Sequence, residues 1–346
     1  MLEAALTAAG IPLDETADWR ALGGGTFNSV YLVRRPGEPG LVVKIPPPSG
    51  TPLMSYERGI LTSEALYYEL AGRLTGVTLP SVVAGDTDYL VMTECPGTPW
   101  SLLAASPNGQ EMRDLRTELG RQVGLLHSIT GAGFGYPSRA LGPLRETWRE
   151  AFLGMVDAVL ADAETFMVPL PRPAGEIRDL FAAHAPVLDE VTTPVLVHFD
   201  LWDGNILVDS GASGPRIGAL IDAERAFWGD PLAEFVSLAL FGDIETDMAF
   251  LDGYRSAGGA VTFGPATRLR LALYRSYLYL IMWVEVAPRE YDEKRRAWLV
   301  DKVLLPLTAT LNDWNGPANR ENGPFSRLQP GGWAILAVEA RLSCPS

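Results

Sequence analysis

Residues 197–207 read Val-His-Phe-Asp-Leu-Trp-Asp-Gly-Asn-Ile-Leu and form the most informative part of the sequence. An apolar run ends at His198, Asp200 follows it, and Asn205 stands five residues further on. A loop of this length can turn the carboxylate of Asp200 and the carboxamide of Asn205 toward one point. The stretch is therefore a candidate site at the end of a predicted strand.

A second acidic residue follows about twenty residues later. Asp222 stands directly after the apolar run Ile217–Ile221. Carboxylate and amide oxygens suit Mg²⁺, so Asn205 and Asp222 are candidate ligands, and Asp200 is left to accept a proton from a hydroxyl. Each piece alone is common, since an Asp at a strand end is often a turn or cap residue. The order, the spacing and the strand context together make the pattern specific.

The N-terminal part contains a glycine-rich turn that enters a strand. Residues 22–31 read Leu-Gly-Gly-Gly-Thr-Phe-Asn-Ser-Val-Tyr, with Gly24, Gly25 and Thr26 at the turn. Glycines let backbone amides approach phosphate oxygens closely. Most glycine-rich turns bind no phosphate, so this turn indicates a phosphate site only together with the neighbouring motifs.

Lys44 lies on the next predicted strand, in the run Val-Val-Lys-Ile, and is the only lysine in the first 293 residues. Glu64, on the predicted helix that follows, is its natural partner, with Glu57 and Glu69 as competitors. Such a pair would hold the ammonium group on the α- and β-phosphates of a nucleotide. The alternative for Glu64 is a solvated helix face.

Strand-like and helical segments divide the chain into two lobes. The division lies at the linker Pro96–Pro99, with residues 1–95 as the smaller lobe and 96–346 as the larger, mostly helical one. The segments follow from hydrophobic periodicity and turn residues. We expect strands at 30–34, 41–45, 79–84, 89–93, 195–198, 206–208 and 217–221, and helices at 60–74, 111–130, 144–163, 175–190, 231–242, 245–257, 265–287 and 291–313. Residues 314–332 predict a loop, and 333–342 a short apolar closing segment.

Composition excludes several classes of protein. The 346 residues include 28 basic and 42 acidic ones, a net charge of −14. This balance argues against a nucleic-acid binder and against docking on anionic lipid. Cys95 and Cys344 are too few for a disulfide framework, and the N-terminus has no signal-peptide pattern. We expect a soluble cytoplasmic protein, monomeric or dimeric, with no membrane span.

These motifs resemble those of the aminoglycoside phosphotransferase family, which has a protein-kinase-like fold. The resemblance covers roughly residues 15–310 and is strongest at 195–236. It implies a two-lobed α+β protein, with an antiparallel sheet and one main helix in the N-terminal lobe. It also implies that Asp200 is the catalytic carboxylate that contacts the acceptor hydroxyl. Asn205 and Asp222 would then hold Mg²⁺ on ATP, while His198 and Asp230 would be structural.

The resemblance also assigns the nucleotide site. Lys44 and Glu64 would form the phosphate-binding ion pair, and Thr26 would lie over the phosphates together with the adjacent glycines. Thr93 and Cys95 would offer backbone groups to the adenine. The same backbone groups can serve GTP, so the choice between the two nucleotides stays open.

The sequence departs from the family pattern at two places, and the second limits the class of acceptor. Phe199 stands where the family usually has Gly or Ala, which should alter packing and not chemistry. Ala223 and Glu224 follow Asp222, and only seven residues separate Asp222 from Asp230, too few for a loop that seats a peptide. A small-molecule acceptor therefore fits better than a protein. Glu224 is one of six candidate pocket carboxylates, although an ordinary surface charge is the favoured interpretation of each; the others are Asp203, Glu285, Glu290, Asp292 and Glu293.

The first interpretation is an ATP-dependent O-phosphotransferase that acts on a hydroxyl of an antibiotic or another sugar-containing natural product. A metabolic kinase for choline, an amino sugar or a fructosamine adduct is the alternative. A pseudokinase that only binds nucleotide is disfavoured, because the set of Lys44, Asp200, Asn205 and Asp222 is intact.

Overall fold

A computed structural model describes most of the chain. The described residues are 1–11, 13, 15–23, 27–103, 106–211 and 214–315. Gly24, Gly25 and Thr26 therefore lie outside the described residues, as do the predicted closing segment 333–342 and nearly all of the loop predicted at 314–332.

The N-terminal part is built on a five-stranded antiparallel sheet in the order β1-β2-β3-β5-β4. The strands predicted at 30–34, 41–45 and 89–93 are confirmed. The strand predicted at 79–84 begins and ends later, and β1 was not predicted because its side chains are almost all exposed and show no apolar alternation. The strands are β1 (Asp18–Leu22), β2 (Ser29–Arg34), β3 (Leu41–Ile45), β4 (Val82–Asp86) and β5 (Tyr89–Thr93).

The two faces of this sheet are covered by different helices. Helix α1 (Leu2–Ala8), absent from the sequence prediction, packs with Val43 and Val91 in one apolar cluster. Helix α2 (Ile60–Ala71) belongs to the larger core together with Leu90. Because side chains alternate along a strand, the residue after Val43 points to the opposite face, where α2 lies. The alternation thus places Lys44 beside α2.

The remainder of the described chain is mostly helical. Two small sheets interrupt the helices, one with the order β6-β8-β9 and one that pairs β10 with β7. The helices are α3 (Gly109–Leu126), α4 (Trp148–Thr165), α5 (Ala174–His184), α6 (Glu234–Leu238), α7 (Met248–Ser256), α8 (Pro265–Val284), α9 (Glu293–Leu299) and α10 (Leu305–Asn315). The strands are β6 (Thr98–Pro99), β7 (Val195–Val197), β8 (Ile206–Gly211), β9 (Gly214–Leu220) and β10 (Phe227–Gly229).

Several predicted segments end differently in the structure. The helix predicted at 60–74 ends at Ala71, and the one at 175–190 ends at His184 and continues as a 3₁₀ turn through Glu190. Pro186 lies in this turn and has no N–H with which to continue an α-helix. The helix predicted at 231–242 is a 3₁₀ turn followed by the short α6. The last predicted helix is divided by a π-helical turn at Val300–Leu304.

The hairpin of β8 and β9 brings the two halves of the motif together. Ile206, at the start of β8, pairs with Leu220, at the end of β9. The backbone N–H of Ile221 then donates to the carbonyl oxygen of Asn205 at 2.9 Å. Because the strands are antiparallel, the loop before β8 and the residue after β9 lie at the same end of the hairpin. This geometry places Asp222 beside Asn205.

The close approach of α3 and α7 predicts a large effect for a small substitution. A Cβ atom at Gly120 would collide with the carbonyl oxygen of Phe250 on α7. Gly120→Ala should therefore lower the free energy of unfolding by about 1–3 kcal/mol, measured by urea denaturation. Gly154→Ala, at an open position on α4, is the matched control. It should leave stability unchanged or raise it by up to about 1 kcal/mol. Equal effects of the two substitutions would contradict the packing argument.

Candidate active site

Lys44 on β3 and Glu64 on α2 form a buried ion pair. The Nζ atom of Lys44 lies 2.7 Å from each carboxylate oxygen of Glu64. The hydroxyl of Tyr68, one helical turn further on, donates to Glu64 at 3.0 Å. The competitor Glu57 pairs instead with Arg289. The pairing predicted between Lys44 and Glu64 is therefore present, while its role toward a nucleotide stays a prediction.

Asp222 is the second carboxylate that Lys44 holds. The Nζ atom also donates to Oδ1 of Asp222, 178 residues further along the chain. The backbone N–H of Asp222 donates to the hydroxyl of Tyr68 at 2.8 Å. Asp222 adopts a left-handed backbone conformation with a φ of 67°, which an Asp tolerates better than most residues. Tyr68 was missed from the sequence, although its spacing from Glu64 places both on one helix face.

Lys44, Glu64 and Asp222 compensate one another's charges unequally. Burial by itself lowers the pKa of Lys44, but Asp222 and Glu64 together raise that pKa above its ordinary value. Burial raises the pKa of Glu64 more than Lys44 lowers it. For Asp222, burial raises the pKa, but Lys44, with smaller contributions from His198 and Arg225, outweighs burial and the pKa is lowered. The ammonium of Lys44 therefore stays charged across the neutral pH range.

Asp200 and Asn205 are brought together by the loop between β7 and β8. The Nδ2 atom of Asn205 donates to the carbonyl oxygen of Asp200 at 2.9 Å and to Oδ2 of its carboxylate at 3.2 Å. Since both contacts use the amide nitrogen, Oδ1 of Asn205 is left without a donor among the described residues. The other carboxylate oxygen of Asp200 lies 3.6 Å from Arg225.

Glu234 on α6 holds the backbone of this loop. Its carboxylate accepts from the N–H of His198 at 2.7 Å and from the N–H of Phe199 at 3.0 Å. The hydroxyl of Ser237 accepts from the N–H of Leu201 at 3.1 Å. Sequence reasoning missed Glu234 and Ser237, because their partners lie 35 to 36 residues away. His198 is fully buried, and its Nε2 lies 3.0 Å from the carbonyl oxygen of Ile221, which agrees with a structural role.

Phe199 shows why a small residue is usual at its position. Its φ is 63°, in the left-handed region that glycine adopts without strain. The buried ring packs against Phe227 with centroids 4.9 Å apart and against Tyr277 at 5.7 Å. Packing of the large ring thus accompanies an unfavourable backbone conformation, and the prediction that Phe199 alters packing agrees with these contacts.

The carboxyl group of Asp200 binds its proton unusually tightly. Burial raises its pKa to about 7, Arg225 opposes the increase, and the charges of Asp222 and Glu285 add to it. Arg225 is itself committed to Glu285, whose carboxylate lies 2.7 Å from its Nη2 atom. A carboxyl group with a pKa near neutrality is suited to accept a proton from a hydroxyl.

Glu224, a candidate pocket carboxylate, is not the ordinary surface charge that was the favoured interpretation of it. It is half-buried, and its Oε2 atom accepts a hydrogen bond from Nδ2 of Asn28 at 2.9 Å. Burial and the charge of Asp222 raise the pKa of Glu224 well above its ordinary value. No short-range pattern predicts this contact, because 196 residues separate Asn28 from Glu224.

The donor set around Asp222 fits a hard divalent cation. Asp222 offers a carboxylate that is open to solvent on one side, with a side chain 35% exposed, and Asn205 offers Oδ1. Carboxylate and amide oxygens are the ligands that Mg²⁺ prefers. Glu64, Asp222 and Glu224 also place one oxygen each within 4.8 Å of one another. Oxygen donors for the metal predicted at Asn205 and Asp222 are therefore in place, while the metal itself stays a prediction.

The end of β5 carries the groups predicted to meet the nucleotide base. The N–H of Thr93 donates to the carbonyl oxygen of Ser81 at 2.9 Å, and the N–H of Ser81 donates to the Thr93 hydroxyl at 2.9 Å. Cys95 is half-buried, and burial raises the pKa of its thiol to about 11. The proposed base contacts of Thr93 would therefore fall to its carbonyl oxygen, and those of Cys95 stay a prediction.

Comparison with known proteins identifies the family of this chain. The sequence profile of the phosphotransferase enzyme family (APH) matches residues 18–274, which is most of the chain. The chain belongs to this family. It is a small-molecule phosphotransferase with the two-lobed, protein-kinase-like fold of its structural neighbours. The family implies the use of ATP and typically of Mg²⁺.

Three relatives illustrate the range of acceptors. A probable ketoamine kinase from Lactiplantibacillus plantarum is 30% identical over 112 residues, which are 32% of this chain and 34% of the relative. The match thus spans about a third of that relative. A structure assigned as a fructosamine-3-kinase from Thermobifida fusca has a TM-score of 0.64 and 22% identity, with 90% of this chain and 98% of that one covered. The macrolide 2′-phosphotransferase MphH from Brachybacterium faecium has a TM-score of 0.57 and 19% identity, with 87% and 97% covered.

Among the described residues, no helix combines the length and apolar character that a bilayer crossing needs.

The raised pKa of Asp200 predicts a pH-dependent gain in stability for Asp200→Asn in the nucleotide-free protein. Its pKa in the folded protein is about 7, against an ordinary value of 3.8. As pH rises from about 4 to about 7, the unfolded chain loses this proton first, so the wild type loses stability. Removal of the buried ionisable group should raise the free energy of unfolding by about 1–3 kcal/mol at pH 8 and by less at pH 5.

Urea denaturation at the two pH values measures this difference. Asp252→Asn, at an exposed position on α7, is the control and should show no such trend. A gain for Asp200→Asn that is equal at pH 5 and pH 8 would contradict the raised pKa.

Proposed function

We propose that the protein transfers the γ-phosphoryl group of ATP to a hydroxyl of a small sugar-containing molecule. One observation carries the proposal. Lys44 reaches both Glu64 and Asp222, so the phosphate-binding cation and the candidate metal ligand belong to one hydrogen-bonded group, with the Asn205–Asp200 contact beside it. Phosphoryl transfer depends mainly on positioning and charge neutralisation, and this arrangement supplies both.

Each residue has a separate task in this proposal. Lys44 neutralises phosphate oxygens through its fixed ammonium group. Asp200 orients the acceptor hydroxyl and accepts its proton, as its raised pKa allows. Asn205 and Asp222 would hold Mg²⁺, which supplies positive charge to the transferred phosphoryl group. Arg225 stabilises the ionised form of Asp200.

The remaining nucleotide contacts are proposed from the family resemblance. Gly24, Gly25 and Thr26 would cover the phosphates, and Thr93 and Cys95 would meet the base of ATP or GTP. We keep the division between residues 1–95 and 96–346 as a proposal, supported by the five-stranded sheet that ends at Thr93. A cytoplasmic location and a monomeric or dimeric state likewise stay predictions.

A ketoamine, the adduct of a sugar and an amine, is the favoured acceptor class. Support comes from the relatives named as ketoamine and fructosamine kinases. The exposed indole of Trp202 adds to it, because this side chain is 41% exposed only two residues after Asp200. The ring lies across Gly204, where a Cβ atom would collide with it. An exposed flat apolar face, two residues along the chain from the proposed catalytic carboxylate, suits a sugar ring.

An antibiotic acceptor, the first interpretation from sequence, remains the second candidate. A macrolide phosphotransferase among the structural neighbours supports it. Both acceptors carry sugar hydroxyl groups, so the catalytic residues would act in the same way on either of them. Turnover on matched panels separates the two candidates.

Asp200→Asn is predicted to lower kcat by about 10²–10⁴-fold, because the amide cannot accept the hydroxyl proton. ADP release in the presence of Mg²⁺ measures turnover, and a thermal-shift titration measures nucleotide binding, which should persist. Asp209→Asn, on β8 and paired with Arg216, is the matched control and should retain full turnover. Near-normal turnover of Asp200→Asn would overturn the assignment.

The acceptor is tested with two panels at equal concentration, one of fructosamine adducts and one of aminoglycosides and macrolides. We expect ADP release with the sugar–amine adducts, absent in Asp200→Asn. We also expect Trp202→Ala to raise the acceptor KM about tenfold with little change in kcat, since it removes binding surface and no reacting group. Turnover on the antibiotics alone would reject the ketoamine. Nucleotide binding without turnover on either panel would favour a binding-only protein.

A further inference from the structure

Asn28 and Glu224 form a contact that the proposed reaction does not use. Asn28 lies at the end of the glycine-rich turn, immediately before β2, and Glu224 lies two residues after Asp222. The contact therefore joins the glycine-rich segment to the segment that carries the candidate metal ligand. Neither residue is required by the pattern of motifs, so the contact needs its own explanation.

The carboxylate oxygens of Glu64, Asp222 and Glu224 differ in their hydrogen-bond partners. Both oxygens of Glu64 are bound by Lys44, so Glu64 is already satisfied. Asp222 uses Oδ1 toward Lys44, and Glu224 uses Oε2 toward Asn28. Within the described part of the chain, nothing donates to the second oxygen of either Asp222 or Glu224. Asp222 and Glu224, two residues apart in the chain, thus each present one carboxylate oxygen without a donor among the described residues.

Asn28 supplies the second, independent observation. The residue is only 8% exposed, and its Oδ1 atom is buried with no hydrogen-bond partner among the described residues. Its Nδ2 atom is fixed on Glu224, so the orphan oxygen is held beside the acidic pair. Buried polar atoms are nearly always satisfied, and an unsatisfied one calls for a ligand, a water or an ion. A cation or its bound water would satisfy Oδ1.

The charge balance points to a cation and not to an anion. The positive charges of Lys44 and Arg225 both act on Asp222, and Arg225 is also committed to Glu285. The carboxyl groups in contact with these two cations or with Asn28 are Glu64, Asp200, Asp222, Glu224 and Glu285. Because the acidic groups outnumber the basic ones, an added positive charge is favourable here.

We propose that Glu224 is a further ligand of the divalent cation site, together with Asp222 and the side-chain oxygen of Asn28. One oxygen of Glu224 binds the cation, while Asn28 holds the other oxygen in place. Hard oxygen donors of this kind select Mg²⁺ or Mn²⁺. The bound cation thereby ties the glycine-rich segment to Asp222. This inference deepens the proposed function and relies on it for the purpose of the cation, but its test needs no turnover.

Direct Mn²⁺ binding tests the proposal. The loss of the free Mn²⁺ signal in electron paramagnetic resonance is followed on the full chain, without nucleotide and with the non-hydrolysable analogue AMP-PNP. We expect Glu224→Gln to raise the Mn²⁺ Kd at least tenfold, because the amide keeps an acceptor for Asn28 but loses the ligand charge. Glu176→Gln, on the exposed surface of α5, is the matched control and should not change the Kd.

Asn28→Asp keeps the proposal testable if Glu224→Gln folds poorly. It replaces the neutral oxygen donor by a charged one, so the Mn²⁺ Kd should fall about fivefold or more. If the contact only linked the two segments and bound no cation, the new carboxylate would repel Glu224 without tightening Mn²⁺ binding.

An unchanged Kd for folded Glu224→Gln in both arms would overturn the proposal, as would a wild type that binds no Mn²⁺ in either arm. An Asn28→Asp variant without tighter binding would overturn the part played by Asn28. Failure of the proposed function gives a different result, namely Mn²⁺ binding that depends on Glu224 without phosphoryl transfer to any acceptor.

Discussion

One buried ammonium group, that of Lys44, determines how the two parts of the protein meet. It binds Glu64 on α2 and Asp222 after β9, so three segments distant in sequence converge on one cation. A buried charge without a partner is strongly unfavourable, whereas a hydrogen-bonded one is tolerated. Sheet, helix and hairpin must therefore take up their native arrangement together. The same constraint leaves a fixed cation at the place where phosphate oxygens are proposed to bind.

The acidic groups around this cation exceed what it can neutralise. Burial and mutual repulsion raise the pKa values of Asp200 and Glu224, and Arg225 compensates only part of that charge. In a protein selected for stability alone, such carboxyl groups would be replaced or exposed. Functional sites retain groups of this kind because a ligand completes them. In the proposed function, the unfavourable charge in the free protein would become favourable binding energy when cations enter with the nucleotide.

Local periodicity explains which parts were predictable from the sequence. Apolar alternation every second residue predicts the strand that carries Lys44, and apolar spacing of three to four residues predicts the helix that carries Glu64. The pairing of the two residues is confirmed. The exposed strand β1 has no such pattern, so it was missed. Glu224 was named as a candidate pocket carboxylate, but the surface charge favoured for it was wrong, since its partner Asn28 lies 196 residues away. Contacts of this range depend on the folded arrangement, which no short window of sequence contains.

The segment after Asp222 limits the acceptor in physical terms. Strand β10 pairs with β7, so that Phe227 lies opposite Val197 in the core. Asp230 then accepts hydrogen bonds from Tyr274 and Arg270 at 2.6 and 3.0 Å. The chain is therefore anchored within eight residues of Asp222, and no free loop is left there to seat or release a peptide. This anchoring agrees with a small-molecule acceptor, and we propose that exposed side chains on the loop of Asp200, such as Trp202, distinguish one acceptor from another.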